Sequence, residues 1–316
     1  MSESPSSRPS IGPLTAGNVV SAGFRLYRDR FQPYFGVAVQ ATLWAVLPFL
    51  VLIPIPLLLI YGEANPIALF LLIPIGIILF FYGMAKYTAN TALISRLAFR
   101  ELVNKPESIQ EARHQIAPKF WIFFRAYLLM FFISCVGVLV FYILILIIGG
   151  IGAYGVYSFQ GNIFAIAIIV LVGLIGFAVL MSLLIRFFTR LFMFEVPLAI
   201  EENINASQTI RRSWNLTKGY IGRIFLILTV AFLVTLPLYI VVQIVVSLIQ
   251  ATLLRFLETT PTSFGFQLLS FFIGYILGLV SGAVVQPFWQ AIKATIYYDL
   301  RSRKEGMGLQ VRDSSL

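Results

Sequence analysis

The side chains able to do chemistry in this 316-residue chain are few, and most of them are acidic. Glu195, Glu201 and Glu202 form the densest carboxylate cluster, and Glu101, Glu107 and Glu111 form a second one earlier in the chain. Converging carboxylates could bind a hard cation or divide acid and base roles. Neither cluster gains a histidine or cysteine at ligand spacing, because the chain has one of each, His114 and Cys135. A single cysteine permits no intrachain disulfide and no cysteine zinc site. A single histidine excludes a multi-histidine centre or relay. Nearby arginines offer the acids ordinary counter-charges, and no Walker-type glycine loop is present. The chain therefore reads as non-enzymatic, with no catalytic residue, metal or cofactor.

Two further patterns bear on binding. Arg211, Arg212, Trp214 and Lys218 lie on or beside a short amphipathic stretch. Basic amphipathic helices with an interfacial tryptophan can hold anionic lipid head groups. The alternative is that these residues only fix orientation in a membrane. Gly274, Gly278 and Gly282 repeat in one register with Ser281 beside them, a smooth stripe that permits close helix approach. Packing within the monomer is the default for this stripe, and a homo-oligomer is the alternative.

The elements that position these residues are mostly apolar. Hydrophobic residues make up 59% of the chain and charged ones 11%, against roughly 25% charged in a soluble domain. Much of the surface must therefore face lipid. Apolar runs occur near 35–60, 66–85, 121–148, 162–185, 221–250 and 264–289, each with at least the ~20 residues a helix needs to cross ~30 Å of hydrocarbon. Backbone groups in lipid must be satisfied internally, so each run should be a helix. The expected fold is an all-α membrane protein with six transmembrane helices.

Of the 23 lysines and arginines, all but Arg255 fall in the N-terminal segment, the two long connections and the C-terminal segment. The opposite side has three short loops, from Tyr61 to Asn65, Gly149 to Gly161 and Leu254 to Ser263. That split is the positive-inside signature and places the basic side, with both termini, in the cytoplasm. The net charge of +10 thus reports orientation and calls for no nucleic-acid partner. Residues 1–13 are polar and rich in Ser and Pro, lack an apolar leader core, and should be disordered. The first transmembrane helix then serves as the insertion signal, and the plasma (inner) membrane of a bacterium is the expected site. The tail over 306–316 should be flexible.

Between the ends one unit recurs, over about 14–105, 106–204 and 205–305. Each copy opens with a short segment whose apolar residues share a helix face: Val20, Phe24, Tyr27 and Phe31; Ile109, Ala112, Ile116 and Phe120; Ala206, Ile210 and Trp214. A breaker follows each segment, Pro33, Pro118 or Gly219, and then a transmembrane hairpin. The even-numbered transmembrane helices overrun the bilayer: the second to about Arg100, the fourth to Glu195, the sixth to Arg303 with a kink at Pro287. Inside the spans the polar candidates are neutral, Gln40, Gln243, Gln267 and Gln286, whereas charge-coupled transport usually leaves an ionisable group near the midplane.

The run from Glu195 to Glu202 (EVPLAIEE), then Arg211-Arg212-Ser213-Trp214 and Thr217-Lys218-Gly219, and finally Tyr297-Tyr298-Asp299-Leu300-Arg301 with Arg303-Lys304-Glu305-Gly306 form an ordered series. The series resembles the bacterial membrane-domain family named after the membrane portion of glycerophosphodiester phosphodiesterases, most clearly over about 185–306. In fused members the hydrolase is a separate barrel domain, and a ~250-residue barrel finds no room after the C-terminal signature here. The resemblance therefore implies a stand-alone membrane domain without the named activity. Two functions from different classes fit this reading. One is a non-enzymatic module that organises membrane lipids, or a membrane or cytoplasmic protein partner, at the cytoplasmic face. The other is a transporter or lipid-handling protein with a hydrophobic path between the hairpins.

Overall fold

The computed structural model describes residues 15–52, 66–256 and 260–306, and every regular element among them is helical. In chain order these are α1 (Ala16–Asp29), α2 (Phe31–Leu52), α3 (Pro66–Leu102), α4 (Ile109–Ile116), a 3-10 turn (Ala117–Lys119), α5 (Phe120–Ser158), α6 (Ile163–Leu191), α7 (Glu195–Ile200), α8 (Ala206–Thr217), α9 (Ile221–Phe256) and α10 (Phe264–Glu305). Five of them, α3, α5, α6, α9 and α10, contain stretches long and apolar enough to cross a membrane. The chain is an all-α, multi-pass membrane protein. The remaining expected span begins in α2, and its outer part, like the expectations on 1–13 and on the tail beyond Gly306, lies outside the described residues.

Local chemistry sets the helix starts. Thr15 accepts a hydrogen bond from the Asn18 amide at the head of α1. Ser108 with Glu111 and Asn205 with Gln208 form capping boxes at α4 and α8, and Asn162 caps α6 by accepting from the Ala165 amide. Such caps satisfy amides that the first helical turn leaves without partners.

Several boundaries differ from the sequence expectation. Pro33 does not break the chain. It sits in the first turn of α2, where a missing N–H is harmless, and the break falls one turn earlier at Arg30. The fourth long helix stops at Leu191 instead of reaching Glu195, because Pro197 opens a separate short helix, α7. The loop expected over Gly149 to Gly161 is mostly helix, since α5 runs on to Ser158. The sixth long helix does overrun, passing Pro287 and ending at Glu305 before Gly306, whose φ of 64° suits a glycine cap.

The packed interior lies toward one end of the molecule. Its buried apolar residues all fall within 19–38, 89–126, 193–231 or 288–300, which are the helix ends that carry the basic residues. Val19 and Ala112 from the short helices meet Leu93, Ile94, Ile292 and Tyr297 from the overrunning ends of α3 and α10 there. Away from that end burial falls off. The most apolar stretch of α5 buries no residue, and that of α6 buries 6%. α5 and α6 pair with each other, for example where Phe187 lies over Gly137.

Candidate functional site

The basic end of the bundle is tied by a layer of buried and half-buried ion pairs, which hold Glu195, Glu201, Asp299, Arg301, Arg303 and Glu305 of the sequence motifs around 195–202 and 297–305. Arg96, near the end of α3 and almost fully buried, donates from Nε and Nη2 to the Glu107 carboxylate at 2.8 and 2.9 Å. Its Nη1 donates to the Ala199 carbonyl oxygen at 2.8 Å. Arg100 shares Glu107 at 2.7 Å. One arginine thus joins α3, the α3–α4 loop and α7.

A second group joins α3, α7 and α10. Glu195, at the head of α7, is buried against the Lys293 ammonium. Gln290 donates to the same carboxylate oxygen at 3.4 Å and accepts from the Ser95 hydroxyl. Lys293 also lies over the Phe192 ring, 4.5 Å from its centroid. A third group joins α8 to α10. Arg212 bridges Glu201 at 2.9 Å and Glu305 at 2.5 Å, and the Tyr297 hydroxyl donates to Glu201. Burial works against the Arg212 charge, yet the hydrogen bond and negative charge of Glu201 hold its pKa above the ordinary arginine value. Asp299, fully buried, takes Arg223 of α9 at 3.0 Å and Arg303 at 3.1 Å.

The four candidate head-group residues do not form one free surface. The buried face of α8 is Thr209, Ser213, Leu216 and Thr217, so the expected stripe of Ala206, Ile210 and Trp214 sits half-buried at its margin. Two hydroxyls fix that register: Thr209 donates to the Phe194 carbonyl at 2.6 Å and Ser213 to the Arg190 carbonyl at 2.7 Å. Arg212 is consequently turned into the ion-pair layer. Trp214 carries the Arg190 guanidinium 4.5 Å above its ring and meets Phe187 edge-on. Arg211 and Lys218 stay exposed.

The close approach expected of Gly274, Gly278 and Gly282 is not made within the described chain. A Cβ built on any of them meets no atom within 4 Å. Gly274 and Gly278 instead line an open groove of about 430 Å³ facing Tyr239, Gln243 and Val246 of α9. Close approach occurs at Gly83, where a Cβ would stand 2.5 Å from the Trp44 carbonyl oxygen of α2. Gly83 lies outside any repeated spacing, so the small-residue pattern gave no sign of it.

Chemically the layer is a fixed frame. Each of its acids meets at least one guanidinium or ammonium group, and among the described residues no group of three or more His, Cys, Asp and Glu could hold a metal. In the sequence the acids have arginine counter-charges and no sign of an interior position. Glu195 and Asp299 are instead buried, and Arg96 with them. The available signal was register: Glu195 and Lys293 each lie just past the apolar part of a span, at the same end. No family model matches the chain, and no curated protein or solved structure does either.

Proposed function

We propose that the protein is a six-span membrane module whose basic end, on the cytoplasmic side of a bacterial plasma membrane, forms a rigid platform that organises a lipid or a protein partner. The carrying observation is the position of the packed interior: apolar core and buried ion pairs concentrate at the basic ends of the helices. A rigid frame of this kind suits docking, since a preorganised surface loses less entropy on binding. The placement of α1, α4 and α8, each leading into a long helix, supports a threefold repeat of interfacial helix and transmembrane hairpin. The positive-inside rule supports the orientation. The ordered motifs over about 185–306 support membership of the membrane-domain family already named, without its hydrolase.

A second reading has its own observation. The cytoplasmic halves of α6 and α9 stand apart around a groove of about 640 Å³, walled by Ala178, Met181, Ile185 and Phe225 with Arg186 at its edge. Such a groove supports lipid handling between hairpins. Reconstitution separates the two. The platform reading expects no movement of fluorescent phospholipid between leaflets, and a partner retained in mild detergent that is lost when Arg211 and Lys218 are changed to glutamine. Rapid lipid movement in vesicles containing the purified protein would favour the second reading and overturn the first.

A further inference from the structure

A pair of cations stands apart from the ion-pair layer and meets no carboxylate among the described residues. Lys86 of α3 and Arg113 of α4 line one cavity of about 190 Å³ with Gln40 and Trp44 of α2, Asn90 of α3 and Phe120 of α5, and no Asp or Glu lines it. Both cations are held in place. The Lys86 ammonium lies 4.2 Å from the Phe120 ring centroid, 5.6 Å from Trp44 and 5.7 Å from Tyr82. Arg113 donates from Nη2 to Gln40 Oε1 at 2.6 Å. An aromatic cage and a neutral amide orient charge without cancelling it. Elsewhere at this end Arg96, Arg100, Arg212 and Lys293 each meet an acid. Two like charges facing one cavity repel, and an anion between them removes that penalty.

Depth and size narrow the anion. Lys86 lies about 20 residues into α3, roughly 30 Å at ~1.5 Å per residue, one hydrocarbon thickness from the opposite end. Trp44 lies beside Lys86, and the exposed Trp121 directly follows the Phe120 ring that Lys86 covers; tryptophan marks the head-group region of a membrane. The cavity holds the volume of about six waters at roughly 30 Å³ each, enough for a phosphodiester and too little for an acyl chain.

We propose that Lys86 and Arg113 hold the head-group phosphate of an anionic phospholipid whose acyl chains remain in the inner leaflet. The site rests on the orientation given under the proposed function. Cysteine labelling tests that orientation, and the binding experiment tests the site alone. Full-length protein, stripped of lipid in mild detergent, is offered equal phosphatidylglycerol and phosphatidylcholine, and retained lipid is counted by native mass spectrometry. The wild type retains phosphatidylglycerol in preference. Lys86→Gln with Arg113→Gln lowers that affinity roughly 25-fold, fivefold for each charge removed near an anionic leaflet, about 1 kcal/mol each. Arg25→Gln with Arg28→Gln, which removes two exposed charges at the same end, changes it far less, and millimolar inorganic phosphate does not displace the lipid. Equal retention of the two lipids by the wild type overturns the site, as does undiminished phosphatidylglycerol binding in the folded double variant. Displacement by free phosphate overturns the lipid in favour of a soluble anion. Should the double variant not fold, Arg113→Gln alone decides, because its guanidinium is exposed and donates to Gln40 on the surface.

Discussion

Arg96 and Arg28 both make an ion pair, and the two pairs differ in what surrounds them. The Arg96 side chain is 4% exposed and uses three nitrogens on two partners. Arg28 is 70% exposed beside Asp29. Removing one member of a buried pair strands the other, at a cost of about 3–5 kcal/mol, while an exposed pair contributes ~0–1 kcal/mol. Arg96→Ala should therefore lower the thermal unfolding temperature in detergent sharply, and Arg28→Ala should leave it near wild type. A double-mutant cycle on Glu195→Gln and Lys293→Met should show the double variant less destabilised than the two single losses summed, since neither charge is then left alone. Additive losses would mean that the two side chains do not act as a pair. Sequence alone showed that these acids had basic neighbours. It did not show burial, which arises only when α7 folds back and seats Glu195 between α3 and α10.

At the scale of helices, apolar length was legible, because it depends on a run of adjacent residues: α3, α9 and α10 follow their runs. Helix contacts were not legible in the same way. The face of α4 was read correctly, with Ala112 and Ile116 inside and Gln110, Glu111 and His114 outside. The face of α8 was not, because Thr209 and Ser213 are buried by hydrogen bonds to carbonyls that no hydrophobic pattern records. The glycines make the same point. Gly83→Ala should destabilise the protein by about 1–3 kcal/mol, since its methyl group meets a backbone carbonyl that cannot yield. Gly278→Leu should leave the thermal stability of the monomer unchanged, because open space surrounds that position. A change in oligomeric state on Gly278→Leu, measured by light scattering in detergent, would identify a second copy of the chain as what packs on the stripe.

The whole molecule joins a loosely packed set of membrane-crossing legs to a tightly packed basic end. Composition carried the membrane assignment, and charge distribution carries the proposed direction of insertion. They said nothing of where the core would lie, because a run of apolar residues reads the same whether it faces lipid or a neighbouring helix. The central claim is that every buried ion pair sits on the cytoplasmic side. Cysteine accessibility tests it most directly. In a Cys135→Ser background, single cysteines at Glu63, Asn162 and Thr260 should react with an impermeant thiol reagent on intact cells. Cysteines at Ser10, Ser108, Ser207 and Ser314 should react only after the membrane is permeabilised. Labelling of Ser108 or Ser207 from outside would contradict the account, because it would put the basic frame on the wrong side of the membrane.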